Sequence, residues 1–435
     1  MSTSFLPQVT RRNFLLGAQA VAITAALNKA YAGVLPEQTA DDEEFWRQIR
    51  LAYEADPAII NLNNGGVAPS PTVVLEEQIN EVRYGNYSPS YRMWRELEPK
   101  IEDVRKKMAQ MWDADPETIA ITRNASESLI NVQLGITMQP GDEVLITTQD
   151  YPRMLTTWEQ RRRRDGVVIK KVDFKVPVQS PDDLVKLYRE NIGLKTKIIH
   201  VSQVCFMTGQ IFPVKEICKL AREHNIISIV DGAHAFAHVP FQFTDLDCDY
   251  YGASLHKWLS APVGTGMLYV RKDRIPQTWA LMPANESQDH DIRKFEEIGT
   301  HPAAMHNGIL QALDFYKNIG ADRKFARLRY LKSRWAERAE KIPGVTVLVK
   351  AEDPRLSGAF ATVQFDGVDA GKLGGVLLDK YKIFTTPIGG PAVPGTKTPQ
   401  FTGLRISPNV YTSPDEIDRF ASAVEELVPT MRKTA

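Results

Sequence analysis

The stretch Ile226-Ile227-Ser228-Ile229-Val230-Asp231 is a short apolar run that ends in an acid, and Gly232-Ala233-His234 follow it directly. Similar runs, separated by segments with helical periodicity, extend over residues 118–270. The β-rich runs are Thr118–Thr122, Glu143–Thr147, Gly166–Val172, Lys197–Ser202, Ile226–Asp231, Tyr250–Ser254 and Met267–Val270. This alternation is typical of a mainly parallel sheet covered by helices on both faces. It predicts an α/β fold with functional loops outside the carboxyl ends of the strands.

The flanking segments predict the remaining organisation of the chain. Residues 33–60 are expected to form an N-terminal helical segment, and residues 61–300 the large α/β domain with its seven-stranded sheet. Within this domain the apolar spacing predicts one continuous helix near Tyr91–Trp112. Residues 301–342 are predicted to be connecting helices, and residues 343–435 a small α+β domain.

Composition excludes several classes of protein. The 435 residues include 53 Lys+Arg and 53 Asp+Glu, so the formal net charge is zero. A balanced charge argues against nucleic-acid binding through bulk phosphate neutralisation. Three cysteines cannot form a disulfide framework, and no C-x-x-C pair indicates zinc. The eight histidines are scattered and do not indicate a metal site. A large soluble α/β enzyme is the expected class.

The N-terminus resembles an export signal. Arg11-Arg12 precede a mildly apolar stretch of about 14 residues, shorter than the roughly 20 that span a bilayer, and Ala30-Tyr31-Ala32 offer a small-x-small cleavage site. This pattern indicates a twin-arginine signal peptide over residues 1–32. A frayed amphipathic helix is the alternative. The signal implies the twin-arginine export machinery as a partner, a periplasmic location and no stable membrane insertion after cleavage.

Two residue groups carry chemistry. Asp231 ends a predicted buried strand, and Lys257 lies 26 residues later in Ser254-Leu255-His256-Lys257-Trp258. Pyridoxal 5′-phosphate (PLP) needs a lysine amine for its Schiff base and a carboxylate against its ring nitrogen. Lys257 alone could be a surface lysine and Asp231 an ordinary strand-end acid. Together with His234 and His256 they favour a PLP site.

Val230-Asp231-Gly232-Ala233-His234 with Ser254-Leu255-His256-Lys257 resembles the fold-type I PLP enzymes of the class V aminotransferase group. The resemblance extends over about residues 61–427. The histidine of Asp231–His234 and the opening Asn63-Asn64-Gly65-Gly66 are most similar to the isopenicillin-N-epimerase-like branch. The implied fold has a large domain with a mainly parallel seven-stranded sheet and a smaller α+β C-terminal domain.

The resemblance implies a role for each cofactor-binding residue. Lys257 would carry the cofactor and shuttle the substrate α-proton, Asp231 would pair with the ring nitrogen, and His234 would reach the ring hydroxyl. Thr122–Ser128 matches the phosphate loop, where an anion would meet a helix N-terminus. The remaining expected cofactor contacts are the backbone of Ala125 and Ser126, the side chains of Ser254 and His256, and the stacked ring of Tyr151.

The remaining implied residues concern the substrate and a partner chain. Arg405 matches the arginine that binds the substrate α-carboxylate, which a guanidinium can hold bidentately, and Asn64 is expected beside the substrate. Thr300, after Gly299, matches the segment that reaches the partner's phosphate in a homodimer. Each of three residues has an alternative interpretation without a role in the site. Thr300 could be a helix cap, Arg405 could lie at the surface, and Tyr151 could be an ordinary turn residue.

One difference between this sequence and some members of the family reduces the number of reactions to consider. Persulfide-forming desulfurases need a mobile cysteine before the substrate arginine, and residues 352–405 contain none. A cysteine desulfurase is therefore disfavoured. Epimerisation would also need an acid on the second face of the substrate, and the sequence offers no assignable one, so an aminotransferase-like reaction at the amino-bearing carbon of an amino-acid-like or peptide substrate is expected. Epimerisation, carbon–sulfur lysis of cysteine conjugates, and amine binding without turnover remain alternatives.

Overall fold

The computed structural model describes residues 26, 29–178, 180–349 and 353–433. The twin-arginine motif at Arg11-Arg12 lies outside these residues, so the predicted signal peptide stays a prediction. Among the helices in the described ranges, none has the length and apolar character needed to cross a membrane.

A seven-stranded sheet forms the centre of the molecule, in the order β2-β8-β7-β6-β5-β3-β4. Its strands are β2 (Ile119–Thr122), β3 (Glu143–Thr147), β4 (Val168–Val172), β5 (Thr196–Ser202), β6 (Ile227–Asp231), β7 (Tyr250–Ser254) and β8 (Gly266–Val270). Neighbours from β4 to β7 pair in parallel, whereas β8 is antiparallel to both β7 and β2. The predicted mainly parallel sheet is confirmed.

The sheet is buried on both faces because successive strand residues enter different cores. In β6, Ile229 belongs to one apolar cluster and Val230 to another. The same alternation separates Ile198 from Ile199 in β5. Successive side chains of a strand point to opposite faces of the sheet, so apolar residues at both positions mean that both faces are buried. Helices cover both faces in sheets of this kind.

The helices carry local start signals that agree with the sequence. Asn124 caps the helix of residues 125–135 by accepting the Glu127 N–H, and Ser180 caps the helix of residues 181–191 through a capping box. The helices are α1 (Pro36–Thr39), α2 (Glu43–Arg50), α3 (Thr72–Asn86), α4 (Pro89–Arg92), α5 (Ile101–Met111), α6 (Ala125–Gly135), α7 (Pro152–Asp165), α8 (Pro181–Asn191), α9 (Val214–Glu223), α10 (Phe243–Leu246), α11 (Ala303–Ile319), α12 (Ala321–Ala339), α13 (Ala370–Tyr381) and α14 (Pro414–Lys433).

A second, antiparallel sheet of four strands lies in the C-terminal part, in the order β12-β13-β10-β9. These strands are β9 (Val345–Val347), β10 (Ala361–Phe365), β12 (Thr386–Gly389) and β13 (Thr402–Ile406). A short parallel pair joins β1 (Ile60–Asn61) to β11 (Ile383–Phe384). The N-terminal segment thereby packs against the C-terminal part, next to β13, which carries Arg405.

Two sequence expectations are wrong in detail. The single helix predicted near Tyr91–Trp112 is interrupted, because a π-helical turn (Met93–Leu97) and a 3₁₀ turn (Glu98–Lys100) separate α4 from α5. Pro99 lies in the 3₁₀ turn and cannot donate a helical hydrogen bond. The run Arg161–Arg164 at the end of α7 predicts a solvated helix end, because four consecutive helical residues face all directions. In the structure Arg161 is 3% exposed and donates to the carbonyls of Gln133, in α6, and of Ile136, just after it.

Candidate active site

A cavity of about 320 Å³ opens at the carboxyl ends of the parallel strands. Ser202 ends β5, Asp231 ends β6 and Ser254 ends β7, and the register pairs Ser202 with Asp231. The cavity brings together most of the residues predicted from the sequence. Its lining is Gly65, Gly66, Asn124, Ala125, Ser126, Leu129, Tyr151, Met154, Ser202, Val204, Phe206, Asp231, Ala233, His234, Ser254, His256, Lys257 and Arg405.

Asp231 is a buried acid whose carboxylate is held by the chain itself. The backbone N–H of Ala233 donates to Asp231 Oδ1 at 2.9 Å. Burial raises the pKa of Asp231 to about 6, while this hydrogen bond and the positive charge of Lys257 act in the opposite direction. A cationic partner in the cavity would favour the carboxylate form, because opposite charges stabilise each other at low dielectric.

Lys257 is a buried amine next to a neutral imidazole. Burial, aided by the charge of Arg405, lowers the pKa of Lys257 to about 8, although Asp231 opposes the shift. Its Nζ lies 3.1 Å from His234 Nε2. Burial also lowers the pKa of His234 well below its usual value. The neutral ring therefore accepts a hydrogen bond from Lys257, and its proton is on Nδ1.

His234 Nδ1 is the polar atom that the protein leaves open. It is buried and forms no hydrogen bond with the residues that the structure describes. A buried donor without a partner is costly. A ligand with an acceptor oxygen beside Lys257 would satisfy it.

The N-terminus of α6 forms an anion-binding end of the cavity. Asn124, Ala125 and Ser126 line it, and the Ala125 N–H donates to Ser254 Oγ at 3.0 Å. His256 lies at the same end, with Nδ1 3.1 Å from the carbonyl of Thr265. First-turn N–H groups and the helix dipole favour a phosphate at such a position.

Arg405 adds a buried cation to the cavity. It is 5% exposed, and its Nη1 donates to the Phe206 carbonyl at 2.9 Å, while Nη2 donates to Asn63 Oδ1 at 2.8 Å. Burial lowers the pKa of Arg405 to about 10, so the guanidinium remains charged at neutral pH. Its Nε is buried and has no protein partner among the described residues. This leaves a charged donor for a carboxylate.

Tyr151 lies on the cavity wall, where its ring meets Phe206 edge-on with centroids 5.3 Å apart. Phe206 thus contributes a ring to the wall and a carbonyl to Arg405. The contact between Arg405 and the Phe206 carbonyl spans 199 positions, and nothing in the sequence connects the two residues.

Two predicted site residues do not lie in the cavity. Asn64 is fully buried, and its amide bonds the carbonyls of Asn61 and Ser407 and the hydroxyl of Tyr411. These contacts leave Asn64 a structural role, and its neighbour Asn63 is the residue that reaches Arg405. Thr300 is exposed and lines a separate concave surface with Gly299 and His301.

The cavity offers the groups that PLP requires. It combines an amine at Lys257, a carboxylate at Asp231, an open donor at His234 Nδ1 and a helix N-terminus for the phosphate. Asp231 ends β6, and Ser254, which accepts from the first N–H of α6, ends the neighbouring strand β7. The residues present fit the cofactor.

Comparison with known proteins agrees with this fit. The family model for aminotransferase class-V matches residues 60–420. Isopenicillin N epimerase of Amycolatopsis lactamdurans is 30% identical over 403 residues, which cover 88% of this chain and 98% of that protein. A probable cysteine desulfurase of Pyrococcus abyssi is 25% identical over 413 residues, covering 90% and 99%.

Solved structures show the same fold. The cysteine desulfurase CsdA of Escherichia coli superposes with a TM-score of 0.76 at 23% identity, covering 88% of this chain and 98% of that chain. A mutant of C-DES with glycine covalently linked to its PLP cofactor has a TM-score of 0.75 at 21% identity, covering 87% and 99%. With a cavity whose residues fit PLP and a family match over residues 60–420, this chain belongs to the class-V aminotransferase family of PLP-dependent enzymes.

Proposed function

We propose that the protein acts on the amino-bearing carbon of an amino-acid-like or peptide substrate and transfers its amino group. The supporting observation is that one cavity holds a desolvated amine, Lys257, and a buried guanidinium, Arg405, with open hydrogen-bonding capacity. The guanidinium binds a substrate carboxylate, and the amine is poised to move a proton at the neighbouring carbon.

The chain's own residues divide the work. PLP, when bound, withdraws electrons from the substrate carbon. Asp231 holds its ring nitrogen protonated, and the α6 N-terminus with Ser254 and His256 binds its phosphate. Lys257 holds the cofactor and then serves as the base, because burial lowers its pKa to about 8, near the working pH. His234 orients the amine through Nε2 and offers Nδ1 to the cofactor's ring oxygen.

Epimerisation is the second candidate, since a relative 30% identical over most of both chains is named isopenicillin N epimerase. Inversion requires a second proton-bearing group opposite Lys257. Tyr151 is the titratable residue of the described lining whose polar atom has no assigned role, because its ring alone is expected to stack on the cofactor, whereas Asp231, His234 and His256 use their polar atoms there. Tyr151→Phe should therefore abolish inversion but leave amino transfer largely intact.

One experiment separates the reactions. The PLP-loaded enzyme is incubated in D₂O with L-amino acids and with peptides, and products are identified by NMR and chiral chromatography. With an added oxo acid as acceptor, amino transfer converts the substrate to its oxo acid and the acceptor to an amino acid, whereas epimerisation needs no acceptor and gives an inverted, α-deuterated substrate. Pyruvate with a thiol from S-substituted cysteines would indicate a carbon–sulfur lyase. Lys257→Ala is the control: borohydride should attach PLP covalently to the wild type but not to the Lys257→Ala variant. Absence of both PLP attachment and α-exchange would refute the proposal.

A persulfide-forming desulfurase is disfavoured by the thiols as well as by the loop. Cys205, Cys218 and Cys248 are all buried and unpaired. Burial raises the pKa of each thiol, which lowers the fraction of reactive thiolate.

Export is a further part of the proposal. The Arg11-Arg12 pattern supports twin-arginine export of the folded, PLP-loaded protein to the periplasm. Replacing both arginines by lysine should retain the protein in the cytoplasm. Equal periplasmic amounts of both forms would contradict this route.

A homodimer is also proposed. Thr300 lies exposed outside the cavity of its own chain, which supports a contact with a second chain. Analytical ultracentrifugation should give twice the chain mass of the mature protein. A monomer that binds PLP fully would contradict the shared site.

A further inference from the structure

The loop that carries Lys257 is held through its carbonyl groups. This loop, residues 255–261, contains Ser260 in the left-handed region at φ 58° and forms no regular secondary structure. Nearby donors bind most of its carbonyls: those of Leu255, His256, Lys257 and Ala261 accept from Ala261 N–H, Ala68 N–H, Ser260 N–H and Ser70 Oγ. The carbonyl of Trp258, the residue directly after Lys257, instead accepts from a side chain on a distant helix.

A buried lysine from a distant helix holds that carbonyl. Lys324, in the first turn of α12, is 3% exposed and donates from Nζ to the Trp258 carbonyl. Among the described residues no carboxylate pairs with Lys324, and its Nζ lies 5.3 Å from the centre of the Tyr316 ring. Burial alone lowers the pKa of Lys324 to about 7. Burying an amine without a carboxylate partner costs free energy, and the hydrogen bond to the Trp258 carbonyl offsets part of that cost.

The Trp258 side chain is clamped as well. Its indole is fully buried and stacks on His238 with centroids 4.4 Å apart. His238 Nδ1 lies 2.6 Å from the His234 carbonyl, and its Nε2 accepts from the Ala359 N–H at 2.7 Å. The His234 backbone and the Trp258 side chain therefore both contact one buried group, the His238 imidazole.

We propose that Lys324 is a positioning residue for Lys257: it holds the Trp258 carbonyl and so fixes the backbone from which the Lys257 amine reaches PLP. This inference rests on the proposed role of Lys257 as the cofactor lysine. Without Lys324 the buried carbonyl loses its donor, and the loop relaxes away from the geometry that places Nζ 3.1 Å from His234 Nε2.

The same helix supplies a matched control. Lys332, two turns further along α12, is 0% exposed, and burial lowers its pKa to about 7 as well. Its Nζ donates to Ser357 Oγ, which is not part of the Lys257 loop. Lys324→Met and Lys332→Met therefore remove lysines of similar burial and pKa. The first removes a direct hydrogen bond to the loop, whereas Lys332 reaches the loop only indirectly, through Ser357 and the His238 contacts.

The test compares three quantities in the full-length apoenzyme and holoenzyme: the Kd for PLP, the pH midpoint of the visible PLP band, and the thermal midpoint. Lys324→Met should weaken PLP binding about tenfold and displace the pH midpoint, whereas Lys332→Met should change the Kd less than about twofold. Both variants should change the thermal midpoint similarly. Lys324→Gln, which keeps a donor, should recover most of the PLP affinity.

Equal Kd values and pH midpoints for the two methionine variants would overturn the inference. If Lys324→Met does not fold, Lys324→Leu and Lys332→Leu, which also lack a donor, are compared on the same readouts, and equal behaviour again overturns it. Failure of the proposed function has a different signature, because the wild type itself would then bind no PLP that borohydride attaches to Lys257.

Discussion

Replacing Arg405 by methionine should remove recognition of the substrate carboxylate. Arg405 is 5% exposed, two of its N–H groups donate to Phe206 and Asn63, and its Nε has no partner among the residues that the structure describes. A bound carboxylate can accept from Nε and from a second N–H, in the bidentate geometry that arginine favours. Methionine keeps much of the side-chain volume but offers no donor.

The magnitude follows from those two hydrogen bonds. A hydrogen bond to a charged group contributes about 1.5–3 kcal/mol, so two correspond to roughly 3–6 kcal/mol. Each 1.36 kcal/mol changes a rate tenfold, so kcat/KM for a carboxylate substrate should fall by about 10²–10⁴.

The assay uses a substrate and its carboxamide analogue, measured with the wild type and with Arg405→Met. The wild type should prefer the acid by about the same factor of 10²–10⁴, and the variant should show little preference. Asn63→Ala is the control, since it removes one hold on Arg405 but keeps the charge; it should lower kcat/KM about tenfold and retain the preference for the acid. If Arg405→Met, with wild-type PLP content, still discriminated as the wild type does, the carboxylate would bind elsewhere.

Further outcomes are expected from burial and packing. Burial raises the pKa of Asp231 from 3.8 to about 6 in the folded protein. The contribution of its protonated form to folding stability is therefore full below about pH 4 and is lost above about pH 6. In urea unfolding of the apoprotein, Asp231→Asn should have a free energy of unfolding about 3 kcal/mol above that of the wild type at pH 8, and no such difference is expected at about pH 4. A Cβ at Gly232 would lie 2.0 Å from the Tyr251 ring, so Gly232→Ala should prevent folding, and a soluble, native-like Gly232→Ala protein would contradict this contact. A Cβ at Gly375, on α13, would meet no atom within 4 Å, so Gly375→Ala should stabilise the protein by about 0.5–1 kcal/mol. The three cysteines are buried and unpaired; Ellman's reagent should therefore label none in the native protein and all three after denaturation, and rapid native labelling would contradict their burial.

Local patterns were sufficient for the central sheet and for the cofactor end of the site. All seven predicted β-rich runs are strands of one sheet, because a buried strand needs a short apolar run and each run carries its own turn signals. Asp231 and Ser254 end neighbouring strands, so their convergence follows from parallel pairing. Lys257 and His234 are close in sequence to those strand ends, and both line the cavity as expected.

Contacts between distant segments could not be obtained in this way. Asn63 bonds Arg405 across 342 positions, whereas the sequence favoured the adjacent Asn64, whose side chain instead bonds the Asn61 and Ser407 carbonyls. Lys324 meets Trp258 across 66 positions, although on α12 its residue type suggests a solvated face. The sequence by itself determined the strands, the acid–lysine pair and the class of cofactor, because these depend on periodicity and on residues fixed to strand ends. Tertiary structure alone decided which donors hold Arg405 and the Lys257 loop, because a hydrogen bond depends on where two separately folded segments meet.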